Sequence, residues 1–286
     1  MDSLCKKPLA LLLALTMLFS AAFMDGCRKG TDEKPKQEDK TEKEDASSSV
    51  VIELPPDPPA VGVGRIMPVT VKQRDQLIVI DAGHGFDDPG NGDAPESYWK
   101  DLDVRERDVT LVVAKMLDEE LQKKGFRTLM THNGVDHPDY DFDYHWLFNP
   151  NERVAFVNSL DPQPDYFISV HVNSTGNQNA CGAIVFYTLN SYYKWNDWSG
   201  PASESIAKAI DEMVEITAST RTENETTQLD ASYAVTRETH VAASLVEMGF
   251  ATNEGDAERM LNPDWQRSMA EAIATGIARF FDEMES

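Results

Sequence analysis

Apolar and polar positions follow two alternating patterns between residue 76 and the end of the chain. Short continuous apolar runs, of which 77–80 is the clearest, predict buried strands. Between them apolar residues recur at helical spacing, as in 106–124, where Gly125 follows as a stop signal. The predicted order is strand 77–80, helix 106–124, strand 126–131, helix 152–160, strands 167–170 and 183–187, helix 203–216, strand 244–248 and helix 262–281.

This alternation predicts the class of fold. Strands that alternate with helices of this length indicate an α/β fold, in which a single twisted, mostly parallel or mixed sheet carries helices on both faces. The last helix has its own start signal, since Asn262 can cap it and Pro263 suits its first position. We therefore expect one folded domain over residues 71–286.

The first 26 residues are expected to be a signal peptide. Two lysines precede an apolar run over residues 9–24, which is shorter than the about 20 residues of a spanning helix and suits a leader. A short buried helix at the start of the domain is the alternative. The run ends at Cys27, which resembles a bacterial lipoprotein signal in which that cysteine carries lipid after cleavage. Asp25 is unusual in such a signal, and cleavage after Ala22 without lipid is the alternative.

Residues 27–70 are predicted to be a disordered tether. From residue 28 to residue 45 nearly every residue is charged, polar, glycine or proline, and residues 28–60 show no apolar periodicity that folding could bury. As a coil, residues 28–60 would span roughly 30 Å, and more if their charges extend them. Such an arm would let a membrane-anchored domain reach a polymer outside the cell.

The composition of the chain excludes some classes of partner and one class of fold. The chain has 286 residues, of which 26 are Lys or Arg and 49 are Asp or Glu, so its net charge is −23. This charge argues against nucleic acid as a partner and against a polybasic membrane patch. Three cysteines exclude a disulfide-built fold. If Cys5 leaves with the leader and Cys27 carries lipid, Cys181 has no partner for an internal disulfide.

Two histidines follow predicted strands and suggest a metal site. His84 lies in the polar, Gly-rich loop 81–90 after the first strand, which has neither the glycine spacing nor the lysine of a phosphate loop. His171 directly follows strand 167–170, so the side chains of both histidines are expected at one edge of the sheet. Two imidazoles and a carboxylate with an open fourth position form a catalytic zinc site. Glu106 is the best carboxylate candidate, although alone it would be an acid favoured by a helix N-terminus.

Glu247 is the fourth candidate. It stands near the end of an apolar strand, where a carboxylate is costly to bury unless it is paired or functional. Beside a metal it could act as general base for an attacking water. A partly exposed glutamate on an edge strand is the alternative.

Taken together, these segments resemble the zinc-dependent N-acetylmuramoyl-L-alanine amidases, which are bacterial cell-wall hydrolases with an α/β catalytic domain. The resemblance covers residues 76–281, and the order and spacing of its segments are more specific than any one of them. The matching segments are IVIDAGHG at 78–85, DPG at 88–90, ERD at 106–108, NER at 151–153, FISVHVN at 167–173 and LVEMGF at 245–250, followed by Asn253.

The resemblance implies an enzyme with one zinc ion per chain, bound by His84, Glu106 and His171, with Glu247 as the catalytic glutamate. The implied substrate is peptidoglycan, cut at the amide between N-acetylmuramic acid and L-alanine. A zinc hydrolase of another cell-wall amide, or a peptidoglycan-binding regulatory protein without activity, are the alternatives. The family often has proline at Ala82 and a small residue at Phe86, and neither departure removes a ligand.

Two aromatic stretches, 140–146 and 192–198, are open to two interpretations. They could pack as loop anchors, or they could form a cleft wall that contacts sugar rings or peptide. The remaining histidines are not expected to be ligands; they are His132, His137, His145 and His240.

Overall fold

The computed structural model describes residues 72–85, 88–90, 105–134, 149–188, 198–222 and 233–286. The predicted leader and tether, residues 1–70, lie outside these ranges, as does the aromatic stretch 140–146. The described residues belong to one compact unit. Within the described ranges, every helix is too short or too polar to cross a membrane.

Six strands of the described residues form one mixed sheet in the order β2-β1-β3-β6-β4-β5. The four strands β2, β1, β3 and β6 run parallel, β4 is antiparallel to β6, and β5 is parallel to β4. The mostly parallel, mixed sheet expected from the sequence is thereby confirmed. The strand bounds are β1 Leu77–Ala82, β2 Arg127–Met130, β3 Tyr166–Asn173, β4 Ala183–Tyr187, β5 Ala218–Thr222 and β6 Ala243–Phe250.

Helices cover both faces of the sheet, also as expected. The helix bounds are α1 Glu106–Lys123, α2 Pro150–Ser159, α3 Ser199–Met213, α4 Ala234–Arg237, α5 Glu254–Met260 and α6 Pro263–Met284. Helices α1, α3 and α6 share a buried apolar cluster with Ile78 and Ile80 of β1. Helices α2 and α4 share a second cluster with Val79, whose side chain points to the opposite face because side chains alternate along a strand.

Local signals explain where the helices begin and end. The Asn262 side chain accepts hydrogen bonds from the backbone N–H groups of Asp264 and Trp265, which makes it the predicted cap of α6. Asn149 caps α2 in the same way, so this helix begins two residues before the predicted start. Helix α1 ends just before Gly125, which has a φ of 90°.

The chain enters the domain at the edge that holds the N-terminal ends of the parallel strands. Arg74, just before β1, donates to the Lys124 carbonyl at 3.2 Å and to the Asp282 carboxylate of α6 at 2.9 Å. Its guanidinium also lies 4.6 Å from the centre of the Phe126 ring. Lys72 pairs with Asp282 and with Glu285. The entry point is therefore fastened to the end of α6.

Cys181, just before β4, is disulfide-bonded in the full chain. The expectation that it lacks a partner applies to a processed chain, from which Cys5 has been removed and in which Cys27 carries lipid. That expectation stays a prediction.

Candidate functional site

The three predicted ligands meet at the edge of the sheet where β1 and β3 end. His84, Glu106 and His171 each offer a ligand atom, and these atoms lie within 4.8 Å of one another. His84 Nε2 is 3.2 Å from Glu106 Oε2, and His171 Nδ1 is 3.3 Å from Glu106 Oε1. The two imidazole rings stand edge to face, with centroids 4.9 Å apart.

Each ligand is positioned by a different element. His84 follows β1 and has a φ of 61°, a left-handed conformation that costs a non-glycine residue about 1–3 kcal/mol. His171 belongs to β3. Glu106 is the first residue of α1 and its side chain is only 1% exposed. The helix N-terminus, which favours a carboxylate, thus faces the ends of the strands.

Two glycines make room for the ligands. A Cβ at Gly83 would lie 2.5 Å from the His171 ring, and a Cβ at Gly90 would lie 2.5 Å from Glu106 Oε2. Gly90 also has a φ of 76°, which side-chain-bearing residues rarely adopt. The glycine-rich loop therefore serves close packing around the imidazoles and the carboxylate.

The charged groups of the site shift one another's pKa values. Burial would raise the pKa of Glu106, but hydrogen bonds from His171 and His84 hold it at about 2. Burial would lower the pKa of His84, but the carboxylates of Glu106 and Asp88 raise it to about 9. Glu106 Oε1 also accepts the Val172 N–H at 2.8 Å, which fixes the orientation of the carboxylate. Glu106 is therefore held as an anion that faces two imidazoles.

Asp88 orients the His84 ring through Nδ1, the ring nitrogen that does not face Glu106. Its Oδ2 lies 2.7 Å from His84 Nδ1, and its Oδ1 accepts the Gly90 N–H at 3.0 Å. A carboxylate on one ring nitrogen leaves the other nitrogen to face Glu106, an arrangement that metal-binding histidines commonly show. In the sequence Asp88 belonged to the matching segment DPG but received no role of its own.

The donor set fits a zinc ion. Two imidazole nitrogens and one carboxylate are typical ligands of catalytic zinc. Ligand atoms about 2.0–2.1 Å from a tetrahedral ion lie about 3.3 Å apart. His84 Nε2 and His171 Nδ1 lie 3.2 and 3.3 Å from two different oxygens of Glu106, and the ligand atoms of the cluster lie within 4.8 Å of one another. The cluster could therefore hold a metal ion once its side chains close around it.

Glu247 lies beside this cluster without joining it. It is the β6 residue in register with His171 of β3, so the two share one face of the sheet. Its residue is 5% exposed, and the Tyr233 hydroxyl lies 3.5 Å from its Oε1. Sequence reasoning missed Tyr233, which packs edge to face on Phe186 and follows a polar segment with no apolar pattern.

A buried polar network lies beneath the His84 loop. The Arg153 guanidinium of α2 pairs with the Asp81 carboxylate, which also accepts hydrogen bonds from the hydroxyls of Thr131 and Ser169. Burial alone would raise the pKa of Asp81, but Arg153 and the two hydroxyls hold it below its ordinary value. In the sequence, Arg153 belonged to a matching segment but received no role.

The other sequence candidates lie elsewhere. His132 is buried, with Nε2 2.8 Å from the Ala82 carbonyl oxygen, and His240 is exposed. Within the described ranges neither belongs to the metal-ligand cluster. His137 and His145 lie outside those ranges.

Trp198 lies at the opposite edge of the sheet from the cluster. It lines a cleft of about 660 Å³ together with residues that directly precede β3 and β6. Its ring packs edge on against Phe280 at 6.4 Å between centroids. This position favours the loop-anchor interpretation for Trp198, while residues 192–197 lie outside the described ranges.

Comparisons with known proteins agree with the α/β fold. A family model described as N-acetylmuramoyl-L-alanine amidase matches residues 78–279, more than half of the chain. Protein YqiI of Bacillus subtilis (strain 168) is 28% identical over 211 residues, which cover 73% of this chain and 86% of that protein. The probable cell wall amidase LytH of Staphylococcus epidermidis is 27% identical over 209 residues, covering 73% of this chain but 59% of LytH. An N-acetylmuramoyl-L-alanine amidase structure from Clostridium difficile 630 shares the fold, with a TM-score of 0.58, 23% identity and coverage of 72% of this chain and 97% of that one.

Proposed function

Because this chain belongs to the N-acetylmuramoyl-L-alanine amidase family, we propose that it hydrolyses peptidoglycan with the help of one zinc ion. The bond cut would be the amide between the lactyl group of N-acetylmuramic acid and L-alanine of the stem peptide. The observation that carries this proposal is the convergence of His84, Glu106 and His171 within 4.8 Å, with Glu247 in register beside His171.

His84, Glu106 and His171 would hold the zinc ion. When bound, zinc supplies a Lewis acid that polarises the amide carbonyl and lowers the pKa of water toward about 7. The protein contributes a rigid site, because Asp88 orients His84 and the Val172 N–H orients Glu106. The glycines of the loop leave the space that the imidazoles need.

Glu247 would move the proton. Its carboxylate would accept a proton from the attacking water as the new C–O bond forms at the amide carbon. It would then deliver that proton to the nitrogen of L-alanine as the C–N bond breaks, which releases a free amine. Its 5% exposure places this carboxylate in surroundings where bulk water competes little for the proton.

Digestion of purified peptidoglycan followed by mass spectrometry of the products tests this activity. We expect stem peptides with a free L-alanine amine and glycan strands with free lactyl carboxylates. The Glu247→Gln variant serves as the control, because it should leave the polymer intact. A new amine within the stem peptide would indicate a hydrolase of another amide, and unchanged peptidoglycan would indicate a binding or regulatory protein.

The cell envelope is the proposed place of action. Peptidoglycan lies there, and LytH, a relative, is named a probable cell wall amidase. We also propose that residues 1–26 are a cleaved leader, that residues 27–70 are a tether and that Cys27 carries the membrane lipid. The entry point at Arg74 supports this arrangement, since it lies at the sheet edge opposite the metal-ligand cluster. An anchor on that side leaves the cluster free to face the polymer.

A Cys27→Ser substitution should abolish membrane attachment or leave the precursor uncleaved by the lipoprotein route. The reason is that serine offers no thiol for the thioether bond to the lipid. Membrane fractionation, with mass spectrometry of the mature N-terminus, measures the result. A wild-type chain that begins between Ala21 and Met24 and carries no lipid would instead indicate ordinary secretion.

A further inference from the structure

We propose that Arg153 is a positioning residue for the metal centre, because its guanidinium holds the backbone of His84 in the conformation that presents the imidazole. This role rests on the proposed zinc site. It assigns to α2, which carries none of the predicted ligands, a direct influence on metal affinity.

Three hydrogen bonds of Arg153 converge on one short segment. Its Nη1 donates to Asp81 Oδ1 at 2.9 Å and to the Ala82 carbonyl oxygen at 2.7 Å. Its Nη2 donates to the His84 carbonyl oxygen at 2.5 Å. The side chain is 3% exposed, so these hydrogen bonds are shielded from water and are correspondingly strong. One guanidinium thus joins the end of β1 to the backbone of a proposed ligand.

His84 needs such support because of its backbone conformation. Among the described residues it is the one non-glycine residue with a positive φ. Such a conformation persists only where surrounding contacts hold it. The His84 carbonyl accepts a hydrogen bond from Arg153, and His132 also bonds to the His84 backbone. The imidazole is held by Asp88 on one side and faces Glu106 on the other. Without the guanidinium, the backbone of His84 could relax and carry the imidazole away from Glu106.

The planar, forked shape of the arginine guanidinium matters here as well as its charge. The two terminal nitrogens reach a carboxylate and two carbonyl oxygens that belong to three different residues. A lysine could neutralise Asp81, but its single ammonium cannot reproduce this forked geometry. Charge and geometry can therefore be separated by substitution.

The test compares Arg153→Lys with a matched control, Ser169→Ala, in the full chain. Ser169 donates to the same buried carboxylate at 2.6 Å from the other oxygen, Oδ2, so its loss also weakens the Asp81 network. It makes no contact of this kind with the His84 carbonyl. Zinc affinity is measured by competition with a chromogenic chelator, and the absorption spectrum of the cobalt-substituted protein reports the geometry around the ion. Circular dichroism and thermal unfolding report the fold.

We expect Arg153→Lys to weaken zinc affinity about 10–100-fold, the usual effect of losing an outer partner of a ligand, and to alter the cobalt spectrum. Ser169→Ala should lower the melting temperature but keep the wild-type zinc affinity and cobalt spectrum. If Arg153→Lys unfolds, the double variant Arg153→Met, Asp81→Asn removes both buried charges together, and it should show the same loss of zinc affinity.

Wild-type zinc affinity in a folded Arg153 variant would overturn the positioning role while leaving the zinc site intact. Equal losses of zinc affinity in Ser169→Ala and Arg153→Lys would also overturn it, because they would indicate a general weakening of the fold. A wild-type protein that binds no zinc would overturn both this role and the proposed metal site. A wild-type protein that binds zinc but leaves peptidoglycan intact would overturn the proposed activity alone.

Discussion

Replacing Glu247 by glutamine is expected to slow amide hydrolysis by about 10²–10⁴-fold or more while the zinc content stays at the wild-type level. Glutamine keeps the shape of the side chain but cannot accept a proton from water. The loss should reach the upper part of this range, because one carboxylate serves both proton transfers. Zinc should remain, since Glu247 does not belong to the cluster of His84, Glu106 and His171.

The turnover of purified peptidoglycan and the zinc content of the same preparation should be measured together. Tyr233→Phe is a useful companion variant, because it removes the hydroxyl that lies 3.5 Å from the Glu247 carboxylate and keeps the ring on Phe186. Loss of zinc in Glu247→Gln would show that Glu247 is a ligand. Near-normal turnover in that variant would show that it is a bystander, and the proposed mechanism would have to be abandoned.

Replacing His171 by alanine is expected to abolish both stable zinc binding and hydrolysis. The substitution removes one of three protein ligands, so it should cost more zinc affinity than the about 10–100-fold that follows loss of an outer partner. His84→Ala should behave in the same way. Glu106→Gln should also weaken zinc binding, which separates it from Glu247→Gln.

His240→Ala is the matched control for this substitution, since His240 is exposed and precedes the N-terminal end of β6, while the cluster lies toward the C-terminal ends of the strands. Its zinc content and turnover should equal those of the wild type. Metal analysis of chelator-free preparations, followed by titration with added zinc, measures both variants. Full zinc occupancy in His171→Ala would refute the assigned ligand set.

Much of the fold could be predicted because its central strands are buried on both faces. Strands β1, β3 and β6 appear in the sequence as continuous apolar runs, and helix α1 shows its apolar face clearly. Strand β5, Ala218–Thr222, escaped prediction because it lies at the edge of the sheet and its residues are mostly polar. Helix α4 has only four residues, too few to show a period.

The candidate site was predictable for a related reason. His84, His171 and Glu247 are polar residues at the ends of apolar runs, where a sequence offers no structural reason for them. Arg153 was not assigned a role, since its partners are 69 to 72 positions away in the sequence. It lies one turn before Val157 on a buried face of α2, and an arginine in such a position signals a buried acceptor. Only the structure shows which acceptors Arg153 contacts.

The fastening of the entry point to α6 has a mechanical consequence. If the domain is tethered at residue 72 and bound to a polymer at the opposite edge, tension runs along the axis of β1. This strand lies inside the sheet, with parallel partners β2 and β3 on both sides. A force along β1 acts in shear on its hydrogen bonds to β2 and to β3 at the same time. The ion pairs of Arg74 and Lys72 with α6 would bear this force first. The rate of forced unfolding, which governs survival under load, should therefore be low for a force applied in this direction.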